Sequence, residues 1–141
     1  KEVPKDKYPY WMGLGVVYEH FHTAKSNRSP TTRRLVPEMY VEMHSADASD
    51  LGIKDGEWVR VVTRRGSLEA RAQVGGADSI VKPARNNVPR GYMFGPWNLS
   101  VADSADPKEN KWLANAITSR VFDPVSGQVD FKKLAARIEK I

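Results

Sequence analysis

Apolar and polar positions alternate with a period of two over Glu57–Thr63 (EWVRVVT) and again over Ser67–Val74 (SLEARAQV). That period, with β-branched residues in the first run, predicts two strands. Arg64-Arg65-Gly66 joins them as a hairpin turn, and Gly75-Gly76 closes the second. Tyr10–Tyr18, apolar and interrupted by Gly13 and Gly15, predicts a strand that delivers the chain to a loop. Val36–Met43 alternates well enough for another strand, and Gly91–Trp97 for a short one leading into a turn. Ser45 is placed to cap a short helix over Ala46–Leu51, with Asp47 near its positive end and Gly52 ending it. Lys54-Asp55-Gly56 reads as a tight turn, and the glycines at 52, 56 and 66 as backbone geometry.

The rest of the pattern is irregular. Residues 19–35 are polar, with Ser26, Asn27, Ser29 and Pro30 marking a loop without structure of its own. Residues 77–91 form a second loop, and 98–110 a polar, acidic insertion. Lys111–Ile117 allows one turn of helix, and Asp130–Ile141 a closing strand or an amphipathic tail. Short strands, Gly-rich turns and little helix predict a mainly β fold, a closed or nearly closed barrel with short helices.

Bulk properties narrow the class. The 141 residues amount to one domain, 1–141, with a single core. With 40% hydrophobic and 28% charged residues the composition is that of an ordinary globular protein, and no run reaches membrane-span length. The chain opens at Lys1, as a processed chain or a fragment of something longer would. The absence of cysteine excludes disulfides, Cys-containing zinc sites and iron–sulfur ligation from within these residues. The net charge is +5, with basic groups gathered at Lys25, Arg28, Arg33 and Arg34 and again at Arg60, Arg64, Arg65 and Arg71. This suits an anionic partner, or simply a solvated basic surface.

The densest chemistry lies in Gly15-Val-Val-Tyr-Glu-His-Phe-His-Thr23, followed by Thr31-Thr-Arg-Arg34 and Pro37-Glu38. His20 and His22 fall on one side of an extended chain beside Glu19, which allows a metal site, a surface pair or hydrogen bonding to a heteroaromatic edge. With His44 the only other histidine, the metal reading has few ligands to draw on. Thr23, Thr32, Arg33 and Arg34 offer hydroxyls and guanidinium forks to an anionic group, or a solvated loop. Asn115 stands in an otherwise apolar run, so its amide is expected to be buried and to need partners, or to cap a helix. Lys132 reads on composition as part of a charged tail, and Trp97, after Pro96, as packing or a funnel wall.

Four blocks in order resemble the C-terminal domain of the bis-molybdopterin guanine dinucleotide oxidoreductases, the dimethyl sulfoxide reductase superfamily. Periplasmic nitrate reductases are the nearest resemblance and formate dehydrogenases the next. The blocks are Gly15-x-Val17-x-Glu19-His20-x-His22-Thr23, then Thr32-Arg33-Arg34 with Pro37-Glu38, then Ala46-Asp-Ala-x-x-Leu-Gly-Ile-x-Asp-Gly-Glu-x-Val-x-Val61 with Arg64-Arg65-Gly66, and finally Pro96-Trp97, Asn115, Asp123-Pro124 and Asp130-Phe-Lys-Lys133. The resemblance implies a double-psi β barrel that helps hold a molybdenum-bis(molybdopterin guanine dinucleotide) cofactor. Cofactor contacts would come from Gly15, Val17, Glu19, His20, His22, Thr23, Thr32, Arg33, Asn115 and Lys132, and Trp97 would border the substrate funnel. No catalytic residue and no metal ligand is expected in this chain; the metal-ligating side chain and an iron–sulfur cluster belong to the rest of the enzyme.

The implied partners are the remaining domains of the catalytic chain, an electron-transfer subunit and a small oxyanion. The implied reaction is reduction of nitrate, with formate oxidation as the alternative, and the compartment is the periplasm or the cytoplasm. The family usually has Thr-Gly-Arg where this chain has Leu14-Gly15-Val16, so one polar and one cationic contact are missing. A barrel of this kind could instead serve as an adaptor module, which would have no use for so polar a loop over 19–34. Nucleic-acid binding would require exposed aromatics interleaved with a basic stripe, which the sequence lacks.

Overall fold

The computed structural model describes residues 4–20, 26, 29–76, 86–99, 112–118, 121–130 and 133–141. Six strands, β1 (Tyr10–Gly15), β2 (Tyr40–His44), β3 (Trp58–Thr63), β4 (Ser67–Gly75), β5 (Tyr92–Pro96) and β6 (Leu134–Lys140), close into a barrel in the order β1-β5-β2-β4-β3-β6. Two pairs, β1 with β5 and β2 with β4, are parallel, and the other four are antiparallel. Exchanging β1, β2 and β3 for β4, β5 and β6 leaves every pairing and its sense unchanged. This twofold pseudo-symmetry of connection is that of the double-psi barrel, and closure leaves no sheet edge to protect.

Alternation decides what fills the barrel. β3 sends Val59 and Val61 inward, β4 Leu68, Ala70 and Ala72, and β6 Leu134, Ala136 and Ile138. Small alanines face larger neighbours, as the narrow interior of a six-stranded barrel demands. All four methionines of the chain, Met12, Met39, Met43 and Met93, are fully buried there, where an unbranched side chain can follow an irregular gap. At Gly95 a Cβ would come within 2.9 Å of the Met12 methyl and 3.2 Å of the Tyr40 carbonyl oxygen.

Several sequence expectations need correction. β1 ends at Gly15 rather than Tyr18, because the chain turns at 17–20. The supposedly structureless stretch 19–35 contains a helix, α1 (Pro30–Leu35), with proline in its first turn, where no amide hydrogen bond is lost. β2 begins at Tyr40, not Val36, and Pro37 precedes it. The second helix, α2 (Ser45–Asp50), starts one residue early and is capped by His44, whose Nδ1 accepts from the Ala46 amide at 3.1 Å. Gly52 and Gly56 do hold positive φ, but Gly66 is needed for another reason. A Cβ there would lie 2.6 Å from the Ala116 carbonyl oxygen, so only glycine lets the 3-10 turn Ala114–Ala116 sit on the β3–β4 hairpin.

Candidate functional site

Strand sense collects the chemistry at one end of the barrel. Parallel pairing sets Gly15 opposite Pro96, so the segments after β1 and β5 emerge together. β2 runs antiparallel to β5 and parallel to β4, so the segments entering β2 and β4 arrive at that same end. The pairings Thr63 with Ala136 and Met12 with Leu134 add the end of β3 and the start of β6. Residues 16–20, α1, Pro37-Glu38, Arg64-Arg65, Trp97 and Lys133 therefore share one rim. The 3-10 turn is fastened to it by Thr63, whose buried hydroxyl donates to the Ile117 carbonyl at 2.8 Å and accepts from the Arg65 amide.

At this rim the loop after β1 is already braced. Gly15 lies where a Cβ would reach 2.5 Å from the Phe94 ring, and its carbonyl accepts from the Trp97 amide at 2.9 Å. Val17 and His20 are buried, and Tyr18 and Glu19 between them are exposed. The His20 Nε2 donates to the Val36 carbonyl at 3.0 Å, and the Ser26 hydroxyl lies 3.5 Å from its Nδ1. Thr32 donates its hydroxyl to the carbonyls of Ser26 and Ser29. His20 is thus at a bend, not on an extended chain, and its ring and the Thr32 hydroxyl tie the loop to α1. Arg33 and Arg34 lie exposed in the last turn of α1.

Asn115 requires a correction: it is exposed in the 3-10 turn, not buried, because the buried positions of that turn are Ala114 and Ile117. Among the described residues the buried asparagines are Asn86 and Asn98, the latter 2% exposed and at this rim. Its position, between Pro96-Trp97 and Leu99, carried the very signal applied to Asn115. Trp97 is half-buried and packs on the core. His22, Thr23 and Lys132 lie outside the described residues. Among the described residues no group of three metal-ligating side chains occurs.

Beside the loop, on the outer face of β2 and β4, is a cleft of about 340 Å³. Leu35, Val36 and Pro37 form its apolar wall, and Glu19, Glu38, Tyr40, Arg71 and Gln73 its polar one. Arg71 is fixed: its Nε donates to Glu38 at 2.8 Å, its Nη1 to the Gly56 carbonyl at 3.0 Å, and its guanidinium stacks 4.3 Å from the Trp58 ring centroid. Burial, with the carboxylates of Glu42 and Glu19 adding to it, pushes the Tyr40 hydroxyl up to about 12. Burial also raises the Glu42 carboxyl.

The Tyr40 shift has a measurable sign. An unfolded tyrosine ionises near 10.0, whereas the folded one holds its proton to about 12. The contribution of Tyr40 to stability is therefore fully present below pH 10.0 and is lost as pH rises toward 12. Tyr40→Phe should remove about 1–2 kcal/mol of that alkaline loss, after allowance for partial exposure. Urea midpoints of both proteins on either side of this window check it; parallel alkaline declines would refute it.

The fold is a closed double-psi barrel with polar and basic groups gathered at one rim, and the family follows. Residues 10–135 match the family model described as "Molydopterin dinucleotide binding domain". The match covers most of the chain, and the protein belongs to that family. Among solved structures, acetylene hydratase from Pelobacter acetylenicus superimposes with a TM-score of 0.79 at 20% identity, over 97% of this chain and 19% of that one. This chain thus spans about a fifth of that enzyme's length.

The rim suits such a cofactor by its donor set. A pterin or guanine edge carries adjacent donors and acceptors, and Glu19, Tyr40 and Gln73 present both kinds within one cleft. Among the described residues Arg33, Arg34, Arg64, Arg65 and Lys133 outnumber Glu19, Glu38 and Asp130 at this end, a balance that suits phosphate.

Proposed function

We propose that this chain is the barrel that holds the pterin cofactor in a larger molybdenum- or tungsten-dependent oxidoreductase, and that the enzyme reduces nitrate to nitrite. The supporting observation is the meeting, at one barrel end, of segments from all four sequence blocks, in a chain that matches the family over residues 10–135. When bound, the metal–pterin group supplies the two-electron chemistry. This chain binds and orients. Gly15, Val17, Glu19, His20, His22, Thr23, Thr32 and Arg33 form one wall of the cofactor site; Glu19, His22, Thr23 and Arg33 supply its polar and charged groups, while the His20 ring and the Thr32 hydroxyl brace the loop. Asn115 and Lys132 make further contacts to the cofactor, and Trp97 borders the path of the oxyanion. The guanine form of the dinucleotide, the iron–sulfur cluster and the electron-transfer subunit are parts of the same reading. With no cysteine here, cluster and thiolate ligands come from other segments.

The test takes the complete enzyme that carries this chain. Its metal and pterin are quantified, and viologen-linked turnover is measured with nitrate and with formate. Bound metal and pterin with nitrate turnover are the expected result. Formate turnover without nitrate turnover selects formate oxidation, the alternative reading of the same site. A preparation free of both metal and pterin overturns the proposal in favour of an adaptor module. The 141-residue chain alone should turn over neither substrate.

A further inference from the structure

At 99% exposure, Tyr18 holds an aromatic ring almost wholly in water, on a turn that is otherwise tightly held. The turn runs Val17–His20 and is closed by the His20 amide donating to the Val17 carbonyl at 3.2 Å. Its outer ends are spanned by one side chain. The Asn98 Oδ1 accepts from the Val17 amide at 3.0 Å, and its Nδ2 donates to the His20 carbonyl at 2.9 Å. A carboxamide has the donor–acceptor geometry of a peptide unit, so buried Asn98 stands in for a strand neighbour just where the β1–β5 ladder ends. It ties residues 78 and 81 positions away. The two residues between the bridged ends, Tyr18 and Glu19, are turned outward, and Glu19 lines the cleft.

We infer that this bridged turn is the ring-recognition element of the chain: Tyr18 offers its face to a planar heteroaromatic and Glu19 accepts from the amino and ring N–H groups on its edge. Asn98 is the positioning residue that presents both. An exposed aromatic face is a stacking surface, and a carboxylate is matched by paired donors such as those of a 2-aminopyrimidinone ring. The inference rests on the pterin-site reading above and adds to it the residues that read the ring.

The test uses pterin, whose own fluorescence reports stacking, and lumazine, which carries an oxo group in place of the 2-amino group. Wild type should bind pterin in preference to lumazine. Tyr18→Ala should weaken pterin roughly tenfold, as loss of one stacking partner does, and Tyr18→Phe should not. Glu19→Gln should abolish the preference for pterin. Asn98→Asp keeps the acceptor for Val17 but turns a second oxygen toward the His20 carbonyl. Its affinity should fall at neutral pH and recover in acid, where the protonated carboxyl donates again. Amide exchange at Val17 and His20 should rise and fall in parallel. Both exposed-residue variants binding as wild type, with pterin still bound, overturn this inference and spare the functional reading. Failure of wild type to bind pterin at all counts against both. An Asn98→Asp protein that melts earlier but binds unchanged makes Asn98 structural only.

Discussion

Met93→Ala should lower the unfolding free energy by about 3 kcal/mol, within the range of about 2–5 kcal/mol for large-to-small changes in a core. Met93 is fully buried on β5, paired in register with Met12 on one side and Met43 on the other. All three are among the largest side chains with no exposure. A closed barrel cannot easily collapse around the gap, because its strands are hydrogen-bonded on both edges. In a domain of this size the change corresponds to a fall in melting temperature of roughly 10 °C. Met93→Leu conserves volume and should cost less than about 1.5 kcal/mol. Calorimetry of the two variants decides the matter: an alanine protein within about 1 kcal/mol of wild type would mean that neighbouring methionines refill the space.

Asp47→Ala should cost about 2–4 kcal/mol, and Arg90→Ala less than about 1 kcal/mol, although the two residues pair. Asp47 is 4% exposed at the barrel end opposite the candidate site. Its Oδ2 accepts from the Gly91 amide at 2.6 Å, and its Oδ1 from the Arg90 Nε at 3.3 Å. Gly91, at φ 78°, opens β5, and its carbonyl accepts from the Trp11 amide at 2.9 Å. Loss of the carboxylate orphans a backbone donor at the point where α2, β1 and β5 meet. Arg90 is 63% exposed and already in water, so its share of the pair is small. Urea unfolding of the two variants separates the readings; equal losses would show that the ion pair, not the amide bond, holds this corner.

Much of the barrel was legible because alternation has a physical cause. A strand between a core and solvent must alternate, and β3 and β4 do so almost without exception. Elements that are not set by one buried face were harder. α1 has no buried residue, so no periodic stripe marks it; its proline and the tie from His20 to Val36 are what define it. The His44 cap reads in sequence as the end of a strand. The loop after β1 was legible as a run of polar residues but not as a division of labour. The loop's polar groups serve two ends, since the His20 ring and the Thr32 hydroxyl find partners inside the chain while Tyr18 and Glu19 face out.

By itself, then, the sequence determined the strands, their turns, the absence of thiolate chemistry and the family blocks, for these depend on local pattern and residue type. Only the tertiary structure decided that Asn98 is buried and Asn115 exposed, why Gly66 has no side chain, and that segments of the distant blocks share one rim. Those facts depend on strand order and sense around a closed barrel, through which residues such as Asn98 and Val17, 81 positions apart, come within 3.0 Å. Local composition carries no record of that distance.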